Sequence, residues 1–251
     1  MTMRTSERGV ALVMTLLAIL LLSAIGAALV LATNTDASIA SNTGASAEAF
    51  YAADAVFQRT VAELRTVPDF NAVLSGASSS AFTDGSATGP RTLAGGITVD
   101  LAQAVNLANC AKPAGCSAAD LNASLRDRPW GARNPRWRLF SYGPLDSPAA
   151  SGWSGRPVYV VSMVADDPRD DDGDPSRDGV RTGTTMNPGA GVLLVRGEAF
   201  GARGAHRVVE GAVVRQDLVT RAVWDAADPA TRGSPPAERP VLRVVAWREL
   251  R

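Results

Sequence analysis

Hydrophobic positions along this chain follow three successive patterns. From Val10 to Leu31 there is no charged residue, and Leu16, Leu17, Leu20, Leu21 and Leu22 leave no polar face. About 22 residues at ~1.5 Å each give a helix of roughly 33 Å, enough to cross a hydrocarbon core of ~30 Å. From Asp36 to Arg65 there is no proline, and Phe50, Phe57 and Leu64 recur every seven residues with Val61 beside them. That spacing predicts an amphipathic helix, stopped near Pro68. The two segments read as one helix over residues 10–67, membrane-spanning at 10–32 and amphipathic at 36–67.

Beyond Pro68 the period changes. Residues 71–96 are small, polar and broken by glycine, and read as loop or insertion. "RWRLFSYG", "RPVYVVSMVA" and the terminal "RPVLRVVAWREL" have strand character. The clearest unit is "GVLLVRGEAFGARGAHRVVEGAVVR". Setting Phe200 opposite His206 across the Gly201–Gly204 turn pairs Arg196 with Glu210 and puts Leu193, Val195, Val209 and Val213 on one face. The predicted class is α+β: a long N-terminal helix packed on an antiparallel sheet, with residues 68–251 forming a β-rich globular domain.

The flanks of the apolar run decide its type and orientation. A secretory signal has an apolar region of about 7–15 residues before its cleavage site. Ser38-Ile39-Ala40 could serve as such a site, but the run before it is too long. Arg4, Arg8 and the amino terminus precede the run, and Asp36 and Glu48 are the first charges after it. This predicts a single span, N-in and C-out, with an extracytoplasmic domain. With 25 basic and 25 acidic residues the formal charge is zero, so nothing points to nucleic acid.

In an oxidising compartment Cys110 and Cys116, in "NCAKPAGC", are expected to form a short disulfide loop. The chain-entropy contribution of ~7 residues is roughly 2–2.5 kcal/mol. His206 is the only histidine, and no Ser/His/Asp spacing, phosphate loop or H-E-x-x-H is present; no catalytic residues are assigned. Trp130 and Trp137, in "RPWGARNPRW", could mark a contact patch, though packing is the commoner use of such rings.

The stretch "ADDPRDDDGDPSRDG" holds seven aspartates between Asp166 and Asp178, against Arg169 and Arg177. Calcium takes 6–8 oxygens and would relieve their repulsion. Asp170, Asp172 and Asp174 alternate as D-x-D-x-D, with Asp166 or Asp178 available to complete a shell. The loop is not an EF-hand: aligning Gly173 with the invariant glycine puts Pro168 at position one and Gly179 at the bidentate glutamate. A solvated acidic loop is the alternative.

"ERGVALVMTLLAILLLSAIGAAL" followed by "AEAFYAADAVFQRTVAEL" resembles the N-terminal domain of PilX-type proteins of type IV pilus assembly. The resemblance rests on Arg8, Gly9, Val10, Ala11 and Leu12, then Tyr51, Ala52, Ala53, Asp54 and Ala55, and covers roughly residues 7–65. It implies a pilin-like fold and a cytoplasmic leader, residues 1–9, removed by prepilin peptidase between Gly9 and Val10. The retained helix would anchor the subunit in the inner membrane and then pass into a filament at the cell surface, among other pilin subunits. Calcium loops occur in several pilin-like folds, so the resemblance also favours the metal reading. Most pilins carry glutamate at the fifth mature position, where this chain has Met14. Either the subunit sits at a tip or in a priming complex, where no preceding subunit is engaged, or PilX-like chains dispense with the group for unrelated reasons. The implied function is a minor pilin-like structural and assembly subunit, not an enzyme. Two alternatives stand: the tip pseudopilin of type II secretion, which also lacks that carboxylate and binds calcium, and an unprocessed single-pass membrane protein with a periplasmic domain.

Overall fold

The computed structural model describes residues 7–93, 96–145, 157–170, 172–179, 189–215, 221, 223–234 and 241–250. The chain divides into two units, Met1–Gly44 and Ala45–Arg251. Helix α1 runs Glu7–Leu64 and contributes to both.

Within the first unit, the side chains from Val10 to Leu31 are exposed all round the helix. Such a surface is unfavourable in water and must be covered by lipid or by other apolar helices. Three threonines on this part of α1 hide their hydroxyls. Thr15 donates to the Leu12 carbonyl at 2.8 Å, Thr33 to Leu29 at 2.8 Å and Thr35 to Leu31 at 2.9 Å.

The second unit is built on a five-stranded antiparallel meander, ordered β3-β4-β5-β6-β7. Its strands are β3 Arg138–Pro144, β4 Tyr159–Asp166, β5 Val192–Phe200, β6 His206–Arg215 and β7 Leu242–Leu250. The β5–β6 register is the one the sequence predicts: Phe200 faces His206, and Arg196 faces Glu210. The turn is possible because Arg203 and Gly204 both take positive φ, 60° and 73°. One edge of the sheet is partly covered, since Ser80 and Phe82 hydrogen-bond to Phe140 and Tyr142 of β3. The other edge, β7, carries a register shift opposite Ala212/Val213, a device that twists an exposed edge away from continued pairing.

Residues 45–64 of α1 lie on one face of this sheet. Ala49, Ala52, Ala53, Val56, Phe57, Val61 and Leu64 are buried with Val160, Val164, Leu193, Val195, Ala199, Val209 and Val213. The approach is close because two sheet positions lack a side chain. A Cβ on Gly197 would lie 2.5 Å from the Ala53 carbonyl oxygen, and one on Gly211 would lie 2.7 Å from the Phe57 ring. The Phe57 ring therefore fills the recess that Gly211 leaves. After α1 the chain turns through Pro68 into the short helix α2, Phe70–Leu74, whose first turn is capped by Asp69. Arg215 ties this turn to the end of β6 by donating to the Pro68 and Val67 carbonyls, its guanidinium 4.0 Å over the Phe70 ring.

The second face of the sheet is also covered, which the sequence reading did not anticipate. Strands β1 Pro90–Thr92 and β2 Thr98–Asp100 pair as a ribbon leading into helix α3, Leu101–Cys110. Asp100 caps α3 by accepting from the Gln103 N–H, and Ala111 ends it with φ 57°. Leu101, Ala104 and Ala108 pack with Trp137, Tyr142, Tyr159, Val161, Met163 and Ala165. Every residue of β4 is therefore buried. The stretch 71–96, read as loop, contains most of α2 and all of β1. A short helix, α4 Ala118–Leu121, follows the disulfide loop and opens with a capping box between Ser117 and Asp120.

Candidate functional site

Strand β4 ends at Asp166, and the chain then winds through the acidic loop before β5 begins at Val192. Successive aspartates fold this loop on itself. The Asp167 carboxylate accepts from the Arg169 N–H at 3.2 Å, Asp170 from Asp172 at 2.8 Å, and Asp172 from Asp174 at 2.8 Å. Such side-chain-to-backbone bonds two residues on are what short acids offer in place of regular structure. Two glycines let the chain wrap Asp170: a Cβ on Gly179 would fall 2.3 Å from its carboxylate, and one on Gly189 would fall 2.9 Å from its backbone nitrogen.

The five candidate ligands separate into different roles. One carboxylate oxygen from each of Asp166, Asp170 and Asp172 lies within 4.8 Å of the others. Asp166 is 3% exposed, and its Oδ1 is buried without a hydrogen-bond partner among the described residues. Burial, with the charges of Asp170, Asp178 and Asp172 added, pushes its carboxyl up to about 9. Asp174 lies outside this trio. It accepts from the Ser176 hydroxyl at 2.6 Å and backbone N–H at 3.0 Å, which hold its carboxyl below the usual range. Asp178 is a structural clasp: its Oδ1 accepts from the Gly191 N–H at 2.7 Å, and its own N–H donates to Asn71 of α2 at 2.9 Å. Burial pushes the Asp178 carboxyl up to about 7 even so. Asp171 and residues 180–188 lie outside the described residues.

Cys110 and Cys116 are joined, with Cα atoms 5.9 Å apart, at the end of α3. Beside them is a residue the sequence reading missed. Asn109 donates to the Trp137 carbonyl at 2.9 Å and accepts from the Trp137 N–H at 2.8 Å, so a buried amide pins α3 to the start of β3. Trp137 is buried in the core of the second face; Trp130 is 38% exposed. His206 stacks on Phe200 with centroids 4.5 Å apart and bonds the Glu198 carboxylate at 2.9 Å. Glu198 and Glu210 share Arg196, and Arg248 of β7 reaches Glu210 at 2.7 Å. The Arg196–Glu210 pairing was legible from the hairpin register. The diagonal His206–Glu198 contact follows from the same register, because position j−2 on the neighbouring strand lies within reach of a long side chain.

In the first unit Gly9 and Val10 lie on α1, and nothing stands within 4 Å of the position a Gly9 Cβ would take. Met14 is 65% exposed on the same helix and puts a thioether, with no charge, at the fifth position from Val10. α1 is, by length and composition, a helix able to cross a membrane. Residues 8–58 match the family model described as PilX N-terminal. This segment is similar to the PilX N-terminal domain.

The match covers the apolar run and the part of α1 that carries Tyr51–Ala55, so the first half of the resemblance and the start of the second, to residue 58, fall within it. PilX proteins are structural proteins of the type IV pilus, and the PilX segment relates this chain to the minor pilins. Among the described residues one helix is long and apolar enough to cross a membrane, which is compatible with a single-pass anchor. No curated protein and no solved structure matches the chain.

Proposed function

We propose that this chain is a minor pilin-like subunit of a type IV pilus assembly apparatus, serving at the tip or in the priming complex. In this reading residues 1–9 are a cytoplasmic leader, and prepilin peptidase cuts between Gly9 and Val10. Helix α1 then holds the subunit in the inner membrane, N-in and C-out, until it joins other pilin subunits in the filament. The observation that carries the reading is the PilX N-terminal match over residues 8–58, on a helix whose apolar part is exposed on every side. Met14 supports the terminal position. A carboxylate there costs about 2.5–3.5 kcal/mol in the membrane unless paired, and this chain has no such group to pair with a neighbour's amine. The tip pseudopilin of type II secretion carries a sizeable helical insertion. Among the described residues after Pro68 the longest helix is α3, of 10 residues, which favours the pilus reading.

The test is the N-terminus of the protein from the membrane and filament fractions. Mass spectrometry should find a chain beginning at Val10, N-methylated. Gly9→Leu should leave the leader attached and keep the protein out of filaments while membrane insertion is unchanged. A chain beginning at Met1 or Ser41 in both fractions would refute the proposal.

A further inference from the structure

Three carboxylates that converge in a largely dry place need either protons or a cation. Asp166, Asp170 and Asp172 line a small cavity of about 10 Å3, with Arg133, Asp167, Pro168, Gly173, Asp174 and Pro175. That is room for about one water-sized sphere. Arg133 is the only basic side chain on this cavity among the described residues. The Asp166 side chain is the decisive member, because it comes from the end of a fully buried strand and leaves Oδ1 with no hydrogen-bond partner among the described residues. A buried, unpartnered carboxylate oxygen is costly unless something positive meets it.

We propose that Asp166, Asp170 and Asp172 bind one divalent cation of the calcium class, tying the end of β4 to the loop that leads into β5. The donors are all oxygen, with no thiol or imidazole among them, which suits a hard cation. Each of the three carboxylates offers one oxygen to a common centre, and Asp172, only half-buried, leaves a side open for water. Calcium fits better than magnesium, which demands a tighter octahedron and dehydrates reluctantly. The ligand set differs from a plain D-x-D-x-D reading: Asp166 joins from the strand, and Asp174 is taken up by Ser176. Asp178 adds a second tie, holding Gly191 and Asn71 together whether or not the cation is bound. The proposal does not rest on the pilus assignment, since it concerns the second unit alone.

The experiment uses the full chain in detergent, stripped with chelator, then titrated with calcium chloride by calorimetry and followed by thermal melting. One calcium per chain should bind, and the melting temperature should rise by about 5–10 °C at ~100-fold excess over Kd. Asp166→Asn should remain folded in chelator and should lose the calcium shift. Asp172→Asn, at a more exposed position, should also lose it and serves if the first variant folds poorly. Asp174→Asn should keep it. The proposal is overturned if the wild type shows no calcium shift, or if Asp172→Asn retains the full shift. It is equally overturned if sodium chloride or magnesium reproduces the shift, since screening or a less selective cluster would then suffice. A wild type stabilised only by acidification, with no calcium response, would assign protons to the cavity in place of the cation.

Discussion

Replacing Gly197 by alanine tests how closely α1 lies on the sheet. The added Cβ would sit 2.5 Å from the Ala53 carbonyl oxygen, 3.1 Å from Val56 Cγ1 and 3.2 Å from Phe57 Cβ. Carbon and oxygen atoms in packed backbones stay about 3.3 Å or more apart, so helix and strand must separate by roughly 0.8 Å at this point. A gap of ~0.5–1 Å forfeits a quarter to a half of each dispersion contact it opens, and overpacking of this kind costs about 1–3 kcal/mol. Taking ~2 kcal/mol, the melting temperature should fall by roughly 4–8 °C for a unit of this size. Gly201→Ala is the matched control. Its nearest neighbours, the Ala205 and Ala49 Cβ atoms, would both lie at 3.6 Å, and its φ of −111° suits any residue. It should be neutral or stabilise by about 0.4–1 kcal/mol through the unfolded chain. Urea denaturation of the full chain in detergent, followed by near-ultraviolet circular dichroism, measures both. If Gly197→Ala falls within about 0.5 kcal/mol of wild type, or Gly201→Ala is equally damaging, the backbone contact is not what sets the helix–sheet spacing.

Two further predictions concern polar groups inside the second unit. Asn109→Ala leaves the Trp137 N–H and carbonyl without their partner, and at about 1–3 kcal/mol for each buried orphan it should lower stability by roughly 2–6 kcal/mol in the same urea assay; a loss under ~1 kcal/mol would mean that water replaces the amide. Burial raises the Glu198 carboxyl, but His206 and Arg196 overcome this and hold it below its ordinary value. Its contribution to stability is therefore present above the unfolded value of ~4.3 and lost as pH falls through the lower folded value. Glu198→Gln should be less stable at pH 7 and lose less on acidification below about pH 4; parallel pH profiles for the two proteins would refute the assignment.

Large side chains made the core of α1 legible in the sequence. Phe57, Val61 and Leu64 announce the buried stripe by their spacing, and the β5–β6 register follows from one turn and one charge pair. Small residues announce nothing. Ala49, Ala52 and Ala53 read only as helix formers, and Gly197 and Gly211 only as weak strand positions, although together they let the helix lie close on the sheet. Helix α3 carries a readable signal in Leu101, Ala104, Val105 and Ala108 behind a capping Asp100, but it lies beyond the stretch 71–96 read as loop and was assigned no element. In the acidic loop, alternation is a property of an extended chain, and this chain is not extended. Turns at Asp170 and Asp172 bring distant Asp166 in and hand Asp174 to Ser176, and no spacing rule reports that.

The seat of Phe57 over Gly211 has a mechanical consequence. Along residues 45–64, α1 meets the sheet at Ala49 beside Gly201, at Ala53 beside Gly197 and at Phe57 beside Gly211, a row of contacts strung along the helix. A pull along the helix axis loads this row in shear, so the contacts must yield together. A pull away from the sheet peels them in turn. Sliding is further opposed because the ring must climb out of its recess past the flanking Val209 and Val213, which are buried in the same cluster. The joint is therefore keyed: stiff against axial tension, soft against lifting, with the ring as the key and the missing side chain of Gly211 as the keyway.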